Sequence, residues 1–227
     1  MAKNLAQKFA EVKNQIKLAA EKVGRSADEI KLVAVSKTHP AEILLEAIES
    51  GANILGENKV QEAESKIEKI GRDKAEWHLI GHLQSNKVRK AVKLFDWIHT
   101  LDAVELAERL ERICIEENRA NLNVLIQVDL ANETTKNGIK VEELPKLAEF
   151  LRDCECVKFK GLMTIPPFFE DAQKVRPFFR KLREIRDEII PNGELSMGMS
   201  HDFKIAIEEG ATLVRVGTAI FGEREYM

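Results

Sequence analysis

Ile30-Lys31-Leu32-Val33-Ala34-Val35-Ser36-Lys37-Thr38-His39-Pro40 reads as a strand that runs straight into a helix start. Residues 30–35 are rich in β-branched side chains, and Pro40 opens a helix with Ile43, Leu44, Ala47 and Ile48 on one side. The turn between them decides the fold. An open doubly wound sheet calls for a Gly-rich fingerprint after its first strand, and Ser36-Lys37-Thr38-His39 stands there instead. Outward from this unit the alternation repeats. Strand-like runs lie at 52–56, 77–81, 96–99, 122–130, 157–163, 194–197 and 213–216, with helical patterns at 57–70, 85–94, 104–118, 141–151, 171–190 and 201–209. Strand–helix alternation reads as parallel βαβ units, and eight such units close most naturally into a (β/α)8 TIM barrel, an α/β fold. Only a short tail follows the last run. An extra N-terminal helix, with Leu5, Phe9, Val12, Ile16, Ala19 and Val23 in one stripe ending at Gly24, is expected to cover the gap there.

The 227 residues suit one barrel domain spanning 1–227, since α/β barrels use ~200–250 residues as a unit. With 44% hydrophobic and 32% charged residues the chain is an ordinary globular one. A formal charge of -3 gives no electrostatic reason to expect nucleic acid or an anionic membrane. No apolar run reaches the ~18–20 residues that span a bilayer, and the charged N-terminal helix is neither signal nor transit peptide. The three cysteines, Cys114, Cys154 and Cys156, lack metal spacing and suit a reducing, cytoplasmic setting.

In such a barrel, function gathers where strands end. Lys37 ends the first strand; a rim lysine backed by a hydrophobic strand loses the solvation that favours its charge, leaving an amine able to attack a carbonyl. A solvated or phosphate-pairing lysine is the alternative. After the seventh strand come Ser196-Met197-Gly198-Met199-Ser200, and after the eighth Gly217-Thr218-Ala219. Small residues and hydroxyls at these two turns make a phosphate site, where barrels often carry one; Ser200 as a plain N-cap is the competing reading. Alternation puts Leu213, Arg215 and Gly217 on one face, so Arg215 is expected at the barrel mouth, facing a ligand or else a core carboxylate. Asn58 ends the second strand, where it serves either a ligand oxygen or the next helix start. The stretch 81–87 lacks the second glycine of a P-loop, and Val88 fills its Ser/Thr position. His78 and His82 lack a third nearby ligand, so no metal is expected.

Val35-Ser36-Lys37-Thr38, Gly56-Glu57-Asn58, the stretch 78–87, Gly161-Leu162-Met163, Leu195 to Ser200 with Asp202-Phe203, and Val214 to Gly222 occur in one order over nearly the whole chain. Together they resemble the pyridoxal phosphate homeostasis family (YggS/PROSC type), single-domain relatives of the barrel of bacterial alanine racemase. The resemblance implies pyridoxal 5′-phosphate (PLP) as cofactor, with Lys37 as its Schiff-base lysine. Ser200, Gly217 and Thr218 would hold the phosphate, Asn58 would lie near the ring, and Arg215 would face the pyridine nitrogen. It further implies a mostly monomeric cytoplasmic protein that buffers PLP and delivers it to apo forms of PLP-dependent enzymes, without robust catalysis. Alanine racemase also uses a second domain and a tyrosine base, whereas the single tyrosine here is Tyr226, next to the end of the sequence. A PLP-dependent racemase or lyase of narrow specificity is the alternative, and a phosphosugar aldolase using Lys37 a more distant one, since aldolase lysines usually sit on a later strand.

Overall fold

Short strands buried on both faces cannot leave an edge exposed, and here they avoid one by closing. In the computed structural model, which describes residues 4–131 and 137–223, eight parallel strands form a closed barrel in chain order. They are β1 (Lys31–Val35), β2 (Ile54–Glu57), β3 (Glu76–Leu79), β4 (Trp97–Leu101), β5 (Leu122–Gln127), β6 (Val157–Met163), β7 (Glu194–Ser196) and β8 (Leu213–Val216). Pairing of Lys31 with Leu213 through Ala34 with Val216 joins β1 to β8 and shuts the ring. The helices are α1 (Leu5–Glu21), α2 (Ala41–Glu49), α3 (Val60–Ile70), α4 (Val88–Leu94), α5 (Val104–Glu116), α6 (Leu144–Arg152), α7 (Arg176–Ile189), α8 (Phe203–Glu208) and α9 (Thr218–Phe221).

Element boundaries differ from the sequence expectation for local reasons. Periodicity does not separate a 3₁₀ turn from the α-helix it leads into. Thus α4, α6 and α7 each start later than expected, behind 3₁₀ turns at Ser85–Lys87, Val141–Glu143 and Ala172–Val175. The tail after the last strand contains α9, four residues too short to show a period. Val23 falls past the end of α1 and is exposed, because the chain turns through Gly24 at φ +72°.

Outward side chains such as Leu55, Leu79, Ile98, Leu162, Val214 and Val216 join the helices in one continuous apolar shell. The inside of the barrel is different. Two small apolar clusters, Val33, Val35, Ile80 and Leu213 on one side and Trp97, Leu125 and Met163 on the other, flank a column of buried polar groups. The helix α1 buries Phe9, Val12, Ile16, Ala19 and Ala20 and packs against α2, α8 and α9, taking the outer position beside β8. Its end is tied down by Arg25, which donates to the carbonyls of Ile207 (3.1 Å) and Ala211 (2.9 Å), and by a Lys22–Glu208 ion pair of 2.6 Å. Ile207 lies in the last turn of α8, where its carbonyl also accepts the Gly210 amide at 3.0 Å, and Ala211 lies just past that helix.

Candidate functional site

At the C-terminal end of the strands the β1–α2 turn is held from below and from the side. Ser36 is fully buried; its hydroxyl donates to Glu57 Oε1 (2.6 Å) and its carbonyl accepts from Lys66 Nζ (2.8 Å). Lys66 also donates to Glu57 Oε1 and Glu62 Oε1, both at 2.7 Å, so its three ammonium protons have three acceptors. Glu62 in turn accepts the Thr38 amide at 2.5 Å. Thr38 sits at φ +70°, a left-handed conformation that a β-branched residue adopts only when its surroundings impose it. Lys37 lies between these two anchored residues, half-buried at the mouth.

Glu57, placed by its sequence at a helix start, is instead the last residue of β2 with a fully buried side chain, because α3 begins only at Val60. Its Oε2 is buried without a hydrogen-bond partner among the described residues. Burial pushes its carboxyl above the ordinary value, against the opposing pull of Lys66 and Ser36.

Across the mouth, Gly198 at φ +91° lets the β7–α8 turn fold onto its own helix; a Cβ there would stand 2.5 Å from Ala206 Cβ. Asp202 is the residue before α8, and its Oδ1 accepts the Met199 amide at 2.6 Å. Ser200 is therefore not that helix's cap. Its hydroxyl oxygen points to the other turn and accepts the amides of Gly217 (3.2 Å) and Ala219 (3.4 Å). Gly217 packs closely on β1, where a Cβ would stand 3.3 Å from Val35 Cβ.

Arg215 rises from β8 between these turns and is buried, 3% exposed. Its Nη1 donates to Ser196 Oγ (2.6 Å) and its Nη2 to the Thr164 carbonyl (2.9 Å), both neutral acceptors rather than a carboxylate. Burial pushes the guanidinium down to about 10, with Asp202 acting the other way, so it stays charged at neutral pH. Lys37, Asn58, Ser200, Arg215, Gly217 and Thr218 all line one cavity of about 290 Å³, closed on its apolar side by Val35, Ile80 and Ile165. His82 is exposed and belongs to a neighbouring pocket, apart from the buried His78. Tyr226 lies outside the described residues.

Sequence reasoning missed Lys66, Glu62 and His99, and it placed Ser196 only in a turn read as a phosphate site, whereas its hydroxyl meets Arg215 and His99. The spacing of Glu62 and Lys66, four apart on one helix, was a legible signal for a pair. His99 and Ser196 gave none, since strand alternation alone does not say which inward side chains meet.

Residues 9–225 match the family model described as alanine racemase, N-terminal domain. The chain belongs to that family. Within it, the chain is 44% identical to the pyridoxal phosphate homeostasis protein of Aquifex aeolicus, over 98% of this chain and 100% of that one. It is 42% identical to the protein of the same description in Escherichia coli K12, over 98% of both. Among solved structures, PipY of Synechococcus elongatus PCC7942 with PLP bound superposes with a TM-score of 0.85 at 38% identity, covering 96% of this chain and 100% of that one. Alanine racemase of Clostridium difficile 630 shares the fold with a TM-score of 0.73 at 16% identity; the family barrel spans 98% of this chain but 57% of that enzyme.

Proposed function

We propose that this protein binds PLP at the barrel mouth and serves cellular PLP homeostasis by holding the cofactor and passing it on, without robust catalysis of its own. The observation that carries this reading is the composition of one cavity: an amine, a set of anion donors and a guanidinium converge on about 290 Å³. When bound, PLP supplies an aldehyde that the Lys37 amine captures as a Schiff base. That donor set fits the cofactor. Ser200, whose oxygen takes the Gly217 and Ala219 amides and whose own proton is left to donate, and Thr218 offer neutral donors to a phosphate at the Gly217 turn, and Asn58 offers an amide beside the ring. The turns that carry them are already folded, so little ordering accompanies binding.

Arg215 supports a carrier over an enzyme. A carboxylate at the ring-nitrogen end would keep that nitrogen protonated and make the ring a strong electron sink; a charged guanidinium disfavours the proton. Arg215 donates to neutral partners, and Asp202 opposes its charge only through space, so the guanidinium stays a cation beside the cavity. The Aquifex and Escherichia relatives, named for homeostasis rather than for a reaction, agree with this. Residence in the cytoplasm, a monomeric state and transfer to apo forms of PLP-dependent enzymes complete the proposal. Among the described residues no helix is long and apolar enough to cross a membrane.

Solvent deuterium exchange at Cα of amino acids separates carrier from enzyme. The PLP-loaded protein is expected to show trace exchange; turnover of ~1–10³ s⁻¹ for any amino acid would make it an enzyme. The phosphate assignment has its own check. Ser200→Ala with Thr218→Val is expected to weaken PLP retention about 10- to 100-fold, roughly 1–3 kcal/mol for two donors to a charged group. At saturating cofactor the absorbance of the bound form stays that of the parent protein. Equal loss of both would move the phosphate elsewhere.

A further inference from the structure

Inside the barrel a column of hydrogen bonds runs from Arg215 toward the opposite end. Arg215 Nη1 meets Ser196 Oγ at 2.6 Å, Ser196 Oγ meets His99 Nδ1 at 2.9 Å, His99 Nε2 meets His78 Nδ1 at 2.9 Å, and His78 Nε2 meets Glu76 Oε1 at 2.7 Å. Ser196, His78 and His99 are wholly buried, and Arg215 nearly so. The Glu76 side chain is 41% exposed, so the column ends at solvent.

The direction of every bond follows from its two ends. Arg215 can only donate and the Glu76 carboxylate can only accept, so Ser196 Oγ accepts from Arg215 and, with both rings neutral, sends its own proton to His99 Nδ1. His99 Nδ1 is then a lone pair, and a neutral ring must carry its proton on Nε2, which donates to His78 Nδ1. His78 by the same step carries its proton on Nε2 and donates it to the Glu76 carboxylate. Five groups thus form a one-way chain with no conflict. The charges that face the two rings are those of Glu76, Asp96, Lys31 and Arg215. Burial holds both imidazoles below their usual range, His99 well below it, with the neighbouring cations adding to the effect on His99. Both rings are neutral at pH 7, as the chain requires.

We propose that His99 is a positioning residue for the ring end of the cofactor site, acting through Ser196 on Arg215, with its tautomer imposed by His78 and Glu76. The idea rests on the PLP reading above. Without an acceptor at His99 Nδ1 the Ser196 hydroxyl is free to turn, and the guanidinium loses the partner that fixes its Nη1 edge. Its charge then sits less squarely on the ring, which raises the affinity of the conjugated Lys37 nitrogen for a proton.

The test titrates the absorbance of the PLP-loaded protein with pH in the parent and in His99→Leu, His99→Asn and His99→Gln. Asn places its oxygen near Nδ1 and restores the acceptor for Ser196; Gln reaches only the Nε2 position. The expected result is a midpoint raised by roughly one pH unit in the Leu and Gln variants, the worth of one hydrogen bond to a charged group, and returned toward the parent in Asn. Equal midpoints in all four proteins, or equal displacement in all three variants, would overturn the proposal. Absence of any PLP-dependent band in the parent would instead overturn the PLP reading, and the proposal with it. Nitrogen-15 shifts of the cofactor-free protein test the chain alone: both Nδ1 atoms are expected unprotonated, and a protonated His99 Nδ1 would contradict it. Should His99→Leu fail to fold, Ser196→Ala breaks the same link, and an unmoved midpoint there would also overturn the proposal.

Discussion

Replacing Lys37 with alanine is expected to abolish covalent capture of PLP while leaving the barrel folded. Lys37 sits on a turn whose fixed points are its neighbours: Ser36 through Glu57 and Lys66, and Thr38 through Glu62. Removing the side chain takes away the amine but none of these bonds. The anion donors at Ser200, Gly217 and Thr218 remain, so the variant still collects PLP by its phosphate. Loss of the covalent link is expected to weaken equilibrium binding by about 100-fold or more, upward of ~2.7 kcal/mol. The change is read by dialysis against a PLP scavenger with absorbance of the retained cofactor, and a circular dichroism melt reports the intact fold. Unchanged retention with the parent spectrum would place the capturing amine elsewhere.

Lys66→Met carries the second large effect, and here stability and capture fall together. Among the described residues the Lys66 ammonium is the only cation touching the buried Glu57, and it also holds Glu62 and the Ser36 carbonyl. Methionine keeps the apolar stem and deletes the charge. Removing one partner of a buried pair leaves the other uncompensated, which costs about 3–5 kcal/mol. The left-handed Thr38 turn loses part of its anchorage at the same time, so capture by Lys37 is expected to slow about 10- to 100-fold through misplacement of the amine.

The pH dependence identifies the cause of that loss. Burial already raises the Glu57 carboxyl in the parent, and the variant removes the cation that opposes the rise. A group whose folded value lies above its unfolded one supports the fold fully below the unfolded value, about 4.3 for a glutamate, and loses that support as pH climbs through the folded value. The deficit of Lys66→Met against the parent, measured by urea unfolding, is therefore expected to be smaller at pH 5 than at pH 8. A deficit that is flat or larger at pH 5 would show that the damage is packing rather than charge.

The barrel and the rim of its mouth were legible in the sequence, while the interior was not. Strand–helix alternation and the Ser36-Lys37-Thr38-His39 turn distinguish a closed ring from an open sheet, because the two folds need different chemistry after β1. The two terminal turns announce an anion site because only small and hydroxyl residues leave backbone amides accessible. The competing N-cap reading of Ser200 falls on one fact that no local pattern encodes: α8 starts two residues later, and the hydroxyl reaches across to Gly217 and Ala219. The partnership of His99 and Ser196 was hidden for the same reason. A polar residue inside a strand reads as inward or outward, but its partner lies on another strand 21 or 97 positions away. Arg215 shows the boundary most clearly. Alternation placed it at the mouth, yet only the folded barrel reveals that its acceptors are a serine hydroxyl and a carbonyl rather than an acid.

The central claim is a covalent bond between one lysine and PLP at the end of β1, and chemical trapping addresses it without any assay of turnover. The protein is incubated with PLP, reduced with borohydride, digested and mapped by mass spectrometry. The expected result is a single reduced adduct, stoichiometric and confined to the peptide carrying Lys37. An adduct spread over surface lysines, or a cofactor lost on denaturation after reduction, would contradict the account.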